Sequence, residues 1–176
     1  MKRIGTVIFY IAAVVLMIIF FTPKRQLYYL GEKLAQEQGV VLSGEGVFDE
    51  GLALSLEDGT LYYQDLEIAK LNEVSILPLI VFNAIDVAPF SFSQEMQRFV
   101  PGTVEHIRVM QSAIDPLHVH VSASGDFGRL EGIVGLKDRN ASLTLKPSKS
   151  LLTSGVAWLH ELKKQPNGEY TYEIAF

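Results

Sequence analysis

Three rhythms of apolar and polar positions follow one another along the chain. The first runs from Ile4 to Phe21, IGTVIFYIAAVVLMIIFF, 18 residues without a charge. As a helix rising about 1.5 Å per residue it would span roughly 27 Å, close to the thickness of a bilayer core. Lys2 and Arg3 precede it and Thr22-Pro23-Lys24-Arg25 follow, the flanks of an anchor whose two ends reach headgroups. A cleaved signal peptide is the alternative, but its apolar stretch would be shorter and would end in a small-x-small pattern, whereas this run ends Ile18-Ile19-Phe20-Phe21. A buried core helix is a further alternative, opposed by the lack of another segment apolar enough to surround it.

The second rhythm is helical and polar. RQLYYLGEKLAQEQ, residues 25 to 38, sets Leu27, Leu30 and Leu34 at helical spacing, with Gly39 as the stop. This predicts a short amphipathic helix whose leucine stripe packs on the domain, with contact to lipid as the other option.

Beyond Gly39 the period becomes two. Leu52, Leu54 and Leu56 alternate in one strand, and Leu66 and Ile68 resume after a turn predicted at Asp58-Gly59. Strands are predicted over 103–109, 117–123, 127–136 and 141–145, separated by Asp115-Pro116, Gly125-Asp126 and Asp138-Arg139-Asn140. Connections this short leave no room for crossover helices, so the sheet should be an antiparallel meander. Ser148 to Lys164 reads as a helix through Leu152, Val156 and Leu159, and Tyr170, Tyr172 and Ile174 as a last strand after a Pro166-Asn167-Gly168 turn. The fold class expected is mainly β: an N-terminal transmembrane helix, then a curved antiparallel β-sheet domain with one or two packed helices. Residues 1–25 would be the anchor and 26–176 a β-rich domain, placed in the periplasm of a bacterium if the short N-terminal tail stays inside.

Ile76 to Phe90, ILPLIVFNAIDVAPF, is the second most apolar stretch. It is too short and too interrupted by Pro78, Asn83, Asp86 and Pro89 to span a membrane. Two readings remain: a buried strand pair or loop crossing the sheet, or an apolar surface held for a lipid or a partner protein through Ile76, Leu77, Leu79, Ile80, Val81 and Phe82.

Composition narrows the chemistry. Cysteine is absent, which excludes disulfides and thiolate metal sites. The net charge is −5, and because Lys2, Arg3, Lys24 and Arg25 all flank the apolar run, the part from Gln26 onward holds 11 basic and 20 acidic residues and carries −9. Such a domain repels phosphate backbones, so nucleic acid is not an expected partner.

Within LHVHV, residues 117 to 121, strand alternation puts Leu117, Val119 and Val121 toward a core and His118, His120, Ser122 and Ser124 on a wet face. Two imidazoles at this spacing can chelate zinc or copper, with Asp115, Glu105, His106 or Glu131 as possible further ligands, yet nothing in the sequence fixes that geometry and solvation alone accounts for them. His160-Glu161 begins like a zinc-protease helix motif, but Lys164 stands where the second histidine is needed. No nucleophile elbow or phosphate loop occurs. No catalytic, metal or cofactor residue is assigned and no cofactor is expected.

The order of features resembles a family: an N-terminal apolar run, then Gly44-Glu-Gly-Val, then LALSLEDGTLYYQDLEIAKLNEVSILPLIVFNAIDV, then GDFGRLEGIVGLKDRNASLTLKPS. It is similar to the type II secretion system protein N family and the related AsmA-like envelope proteins over roughly residues 40 to 150. That resemblance implies a bacterial inner-membrane protein, single-pass, with its C-terminal domain in the periplasm. It would be a non-enzymatic assembly or interaction component of an export machine, in contact with the lipid bilayer and with other envelope proteins. The alternative is a lipid-binding or lipid-transfer module with an apolar β groove.

Overall fold

The computed structural model describes residue 17 and residues 23–79, 81–100, 102–154, 159–160 and 162–175. Helix α1, Lys24–Glu37, runs alongside the first strands, and Gly39, at φ 79°, supplies the left-handed residue that turns the chain into β1. Twelve strands follow: β1 Val40–Ser43, β2 Gly46–Asp49, β3 Leu54–Tyr63, β4 Leu66–Pro78, β5 Phe82–Val87, β6 Phe90–Phe92, β7 Thr103–Ser112, β8 His118–Gly125, β9 Gly128–Gly135, β10 Asn140–Pro147, β11 Lys163–Lys164 and β12 Tyr170–Ala175. A 3-10 turn, Met96–Arg98, lies between β6 and β7, and a second short helix, α2, Lys149–Ser154, follows β10. All strands join one antiparallel sheet, in the order β1-β3-β4-β5-β7-β8-β9-β10-β12-β11, with β2 also on β3 and β6 bridging β4 and β7.

The expected transmembrane helix is corrected. Among the described residues no helix is long and apolar enough to cross a membrane. Helix α1 has 14 residues, about 21 Å at the usual rise, and carries Lys24, Arg25, Glu32, Lys33 and Glu37. The run from Ile4 to Phe21 lies outside the described residues, Met17 excepted. The described residues form a 12-stranded antiparallel sheet with two short helices, Lys24–Glu37 and Lys149–Ser154.

Two other expectations change. The predicted Asp58-Gly59 turn is a kink inside β3: Asp58 has φ 57°, yet Glu57 still pairs with Glu73 and Gly59 with Leu71. The chain reverses instead at Gln64-Asp65, both left-handed, as a two-residue hairpin turn requires. The helix expected over 148–164 is found only from Lys149 to Ser154, residues 155–158 and 161 lying outside the described set. Its end is strand, because Lys163 and Lys164 pair with Thr171 and Tyr170.

Irregularities line up across the first half of the sheet. The β1–β2 break at Gly44-Glu45, the kink at Asp58, the β5–β6 break at Ala88-Pro89 and the extra residue Glu105 in β7 fall at one level of the register. Pro89 has no N–H to give, and its carbonyl accepts a bond from the Asn72 side chain at 2.8 Å. A bulged strand bends and gains twist, so this line creases the sheet.

The core is three small clusters in sequence: Leu54, Leu56 and Val74; Ala69, Phe90 and Val104; and Leu145, Leu151 and Leu159. Leu71 and Val87 touch the first two, and Phe127 the last two, so they form one chain of contacts.

Candidate functional site

In an antiparallel ladder, directly paired residues share a face, so the register assigns the two faces strand by strand. One row reads Leu54, Ile76, Ile85, Val109, Val121, Gly132, Leu143, Tyr172. The row beside it reads Leu56, Val74, Val87, Ile107, Ala123, Leu130, Leu145, Tyr170. A third row, toward the Pro78 end, continues with Val119, Val134, Ala141 and Ile174. Apart from Gly132, and from Asn83 and Gln111, which the third row carries on β5 and β7, the side chains in these rows are apolar or tyrosine.

Both helices lie on this face, at opposite sides of the sheet. Tyr28 of α1 packs on the cluster of Leu54 and Leu56, while Leu151 of α2 packs with Leu145 beside Leu130 and Tyr170. Between them nothing among the described residues closes the face: Ile76, Val109, Val121 and Leu143 are half-buried, and Ile85 and Tyr172 each keep 39% of their surface exposed. The arrangement is an apolar trough walled by two helices. With strands about 4.8 Å apart, the first row is roughly 34 Å long. One leaflet of a bilayer core is about 15 Å deep, so an acyl chain fits along this row.

The leucine stripe of α1 does not pack on the sheet as expected. Lys24, Tyr28, Glu32 and Ala35 face the domain instead, and Leu27, Leu30 and Leu34 are exposed. Lys24 lies buried with its Nζ 3.9 Å from Asp49, and the Tyr28 hydroxyl donates to Glu45 at 2.6 Å. Burial pushes the Tyr28 phenol above its ordinary range, and the Glu45 carboxylate pushes it further. Leu27 overhangs the trough's end, where it lines a cavity of about 280 Å³ with Tyr28, Leu54, Ile76 and Pro78.

The residues singled out from the sequence divide between places. Ile76 is in the trough; Leu77 and Phe82 alternate to the other face. Leu79 and Val81 belong to the tight connection between β4 and β5, where the Leu79 N–H donates to the Phe82 carbonyl and the Ala113 N–H to the Val81 carbonyl. Ile80 lies outside the described residues. The stretch is thus a hairpin, part core and part surface. Most of the trough, Val109, Val121, Val134 and Leu143 above all, was missed. Alternation inside each strand is its only sequence signal, and that signal is silent on which strands stand side by side.

The opposite face is largely polar. Ser55, Ser75, Asp86, Arg108, Ser122, Glu131, Thr144 and Thr171 make one row, with an apolar patch of Leu77, Ala84 and Met110 near the β4–β5 turn. His118 and His120 stand on this side, as alternation requires. His118 Nδ1 is 2.7 Å from Asp115 and His120 Nε2 is 4.0 Å from the other oxygen of the same carboxylate. His106 is drawn away to Asp86 at 3.0 Å, which Arg108 also contacts. Among the described residues no group of three or more such side chains is placed to hold a metal.

A depression of about 530 Å³ on this side is lined by His120, Arg129, Glu131, Lys146 and Glu169 among others. Lys146 and Glu169 meet at 2.7 Å, which raises the ammonium and lowers the carboxyl from their usual ranges. Its charges are balanced within it, and no nucleophile is set against a base. Of the two faces, the apolar one is the one with an unmet surface to offer.

Comparison with protein-family models, with curated proteins and with solved structures finds no match to this chain.

Proposed function

We propose that this chain is a non-enzymatic lipid-binding module of the bacterial envelope that lays an acyl chain along the apolar face of its sheet. The observation that carries this reading is the row from Leu54 to Tyr172, which has no charged side chain across eight strands and is aliphatic but for Gly132 and Tyr172, and is open between α1 and α2. Half-exposed apolar side chains in one continuous patch mark a surface with an occupant, and a chain of methylenes is the ligand that asks nothing of it but area. The resemblance to AsmA-like proteins supplies the compartment: the sheet on the periplasmic side of the inner membrane.

The test is lipid extraction and native mass spectrometry of the purified full chain beside Val109→Asp and Val121→Asp. Bound phospholipid should accompany the parent chain and fall away in both variants, whose N-terminal apolar run is unchanged. Equal lipid in all three, or none in the parent, defeats the reading.

A second reading, an assembly component of an export machine, draws on one edge. β11 covers only Thr171 and Tyr170 of β12, so Tyr172 to Ala175 has no strand on its outer side among the described residues. Such an edge accepts a strand from another protein. Cross-linking from Glu173 in membranes that captures no protein counts against it.

A further inference from the structure

The two ends of the sheet differ in chemistry. The register puts four connections at one end: 50–53 between β2 and β3, 79–81 between β4 and β5, 113–117 between β7 and β8, and 136–139 between β9 and β10. Each presents an exposed aliphatic residue: Leu52, Val81 at 60% exposure, Ile114 at 97% together with Leu117, and Leu136. Helix α1 also starts at this end, since Lys24 meets Asp49 there.

The other end is built from Gln64-Asp65, Asp126-Phe127, Pro147-Ser148 and Asn167-Gly168-Glu169. Phe127 turns inward against two core clusters, while Tyr63, Leu66, Phe99 and, one turn into α2, Leu152 are exposed at that end. Charge divides the same way. Around the aliphatic tips Arg25, Lys137 and Arg139 balance Glu50, Asp115 and Asp138, whereas the residues from Gln26 onward carry −9 as a whole.

Tips from four connections far apart in sequence have no reason to be aliphatic together if water is their only neighbour. They stand at the trough's mouth, beside the row of Asn83, Gln111, Val119, Val134 and Ile174.

We propose that this end of the sheet docks on a phospholipid bilayer, with Val81, Ile114, Leu117 and Leu136 entering the boundary between headgroups and acyl chains and the trough opening toward the lipid. The balanced charge of this end removes the repulsion that the rest of the domain would meet at an anionic surface. Insertion of a few aliphatic side chains to about 5–10 Å is the ordinary depth of a peripheral contact. The inference rests on the lipid-binding reading for its purpose, and on the placement of the tips for its geometry.

The chain has no cysteine, so single labels are clean. Ile114→Cys, Leu136→Cys and, at the far end, Asn167→Cys are each labelled with an environment-sensitive fluorophore. The full chain is then reconstituted in vesicles of phosphatidylcholine and phosphatidylglycerol carrying a shallow nitroxide lipid. Probes at 114 and 136 should be quenched at least about twofold more than the probe at 167, as insertion to that depth demands. Equal quenching at all three, or tips as aqueous as position 167, overturns the proposal and leaves a protein partner as the occupant of this end. Lipid measured in the same preparations reports on the trough separately. Lipid bound with aqueous tips defeats the docking alone, and quenched tips without bound lipid defeat the trough alone.

Discussion

Replacing Ile85 by alanine should cost this protein much less than replacing Leu54 by alanine, although the two side chains stand in the same row of the same face. Leu54 is 1% exposed and packed against Leu56, Val74 and the ring of Tyr28. Its truncation removes three methylene equivalents at about 0.8 kcal/mol each and leaves a closed cavity, so the loss should be about 3 kcal/mol. Ile85 keeps 39% of its surface exposed, with no helix above it among the described residues. About three-fifths of the same transfer term applies and water refills the space, for a loss of about 1.5 kcal/mol. Urea titration of the full chain followed by far-ultraviolet circular dichroism separates the two, provided the denaturant slopes agree. If Ile85→Ala costs as much as Leu54→Ala, the face is covered in solution and the trough does not exist. The same assay reads occupancy: a phospholipid present at 100 times its dissociation constant should stabilise the parent chain by about 2.7 kcal/mol, and Ile85→Asp should abolish that increment.

Three further outcomes probe the polar end and the turns. Gly128→Ala meets both a φ of 112° and the backbone carbonyl of Lys146 in the space the added carbon would need; it should cost about 3 kcal/mol or more, a fall of roughly 6–12 °C in Tm by calorimetry. The Asp126 carboxylate accepts the Thr103 N–H at 2.8 Å and its hydroxyl at 2.9 Å, which holds it below the usual carboxylate range. A lowered carboxyl adds stability above its unfolded pKa and loses it as pH falls through the folded value, so Asp126→Asn should flatten the acid limb of the stability profile, and an unchanged slope counts against the contact. The Lys146–Glu169 pair should contribute only between the lowered titration of Glu169 and the raised titration of Lys146, and 1 M salt should weaken it. Glu169→Gln should therefore lose salt sensitivity, and a variant as salt-sensitive as the parent removes the pair from the account.

Much of the architecture was readable because strand alternation is a local signal. Val119 and Val121 against His118 and His120, and Tyr170, Tyr172 and Ile174 against Thr171 and Glu173, sort to their faces as the two-residue period demands. The connections between β8, β9 and β10 were legible for the same reason, since Gly, Asp and Asn mark them. What failed were features decided by neighbours. Asp58-Gly59 has the composition of a turn, but the pairs on either side hold it in a strand, and the reversal falls to Gln64-Asp65, which carries no glycine. Lys163 and Lys164 follow an apolar helical pattern yet pair with β12, because a hairpin through Pro166 to Glu169 brings them beside it. The α1 leucines have the spacing of a packing stripe, but the buried Lys24 and the Tyr28–Glu45 bond select another side of that helix to face the sheet. The trough was invisible for a related reason: it is a property of register, which joins residues as far apart as Leu54 and Tyr172.

The way the sheet's borders are treated bears on what its face is for. A 12-stranded sheet has two edges, each a row of unpaired backbone groups that invites another chain. One edge, β1 with β2, lies against α1 and is broken at Gly44-Glu45. The other carries β11, two residues long and both lysine, over part of β12. Charge, interruption and a covering helix are the ordinary means of blunting an edge, and they are present here except along Tyr172 to Ala175 of β12. The apolar face receives no such treatment over its middle strands, although a charged residue at Val109, Val121 or Val134 would have been as easy to place as the histidines and arginine on the reverse side of the same strands. A chain that blunts most of its edges yet leaves the row from Ile85 to Leu143 open over five strands has the pattern that the proposed apolar, elongated occupant would explain.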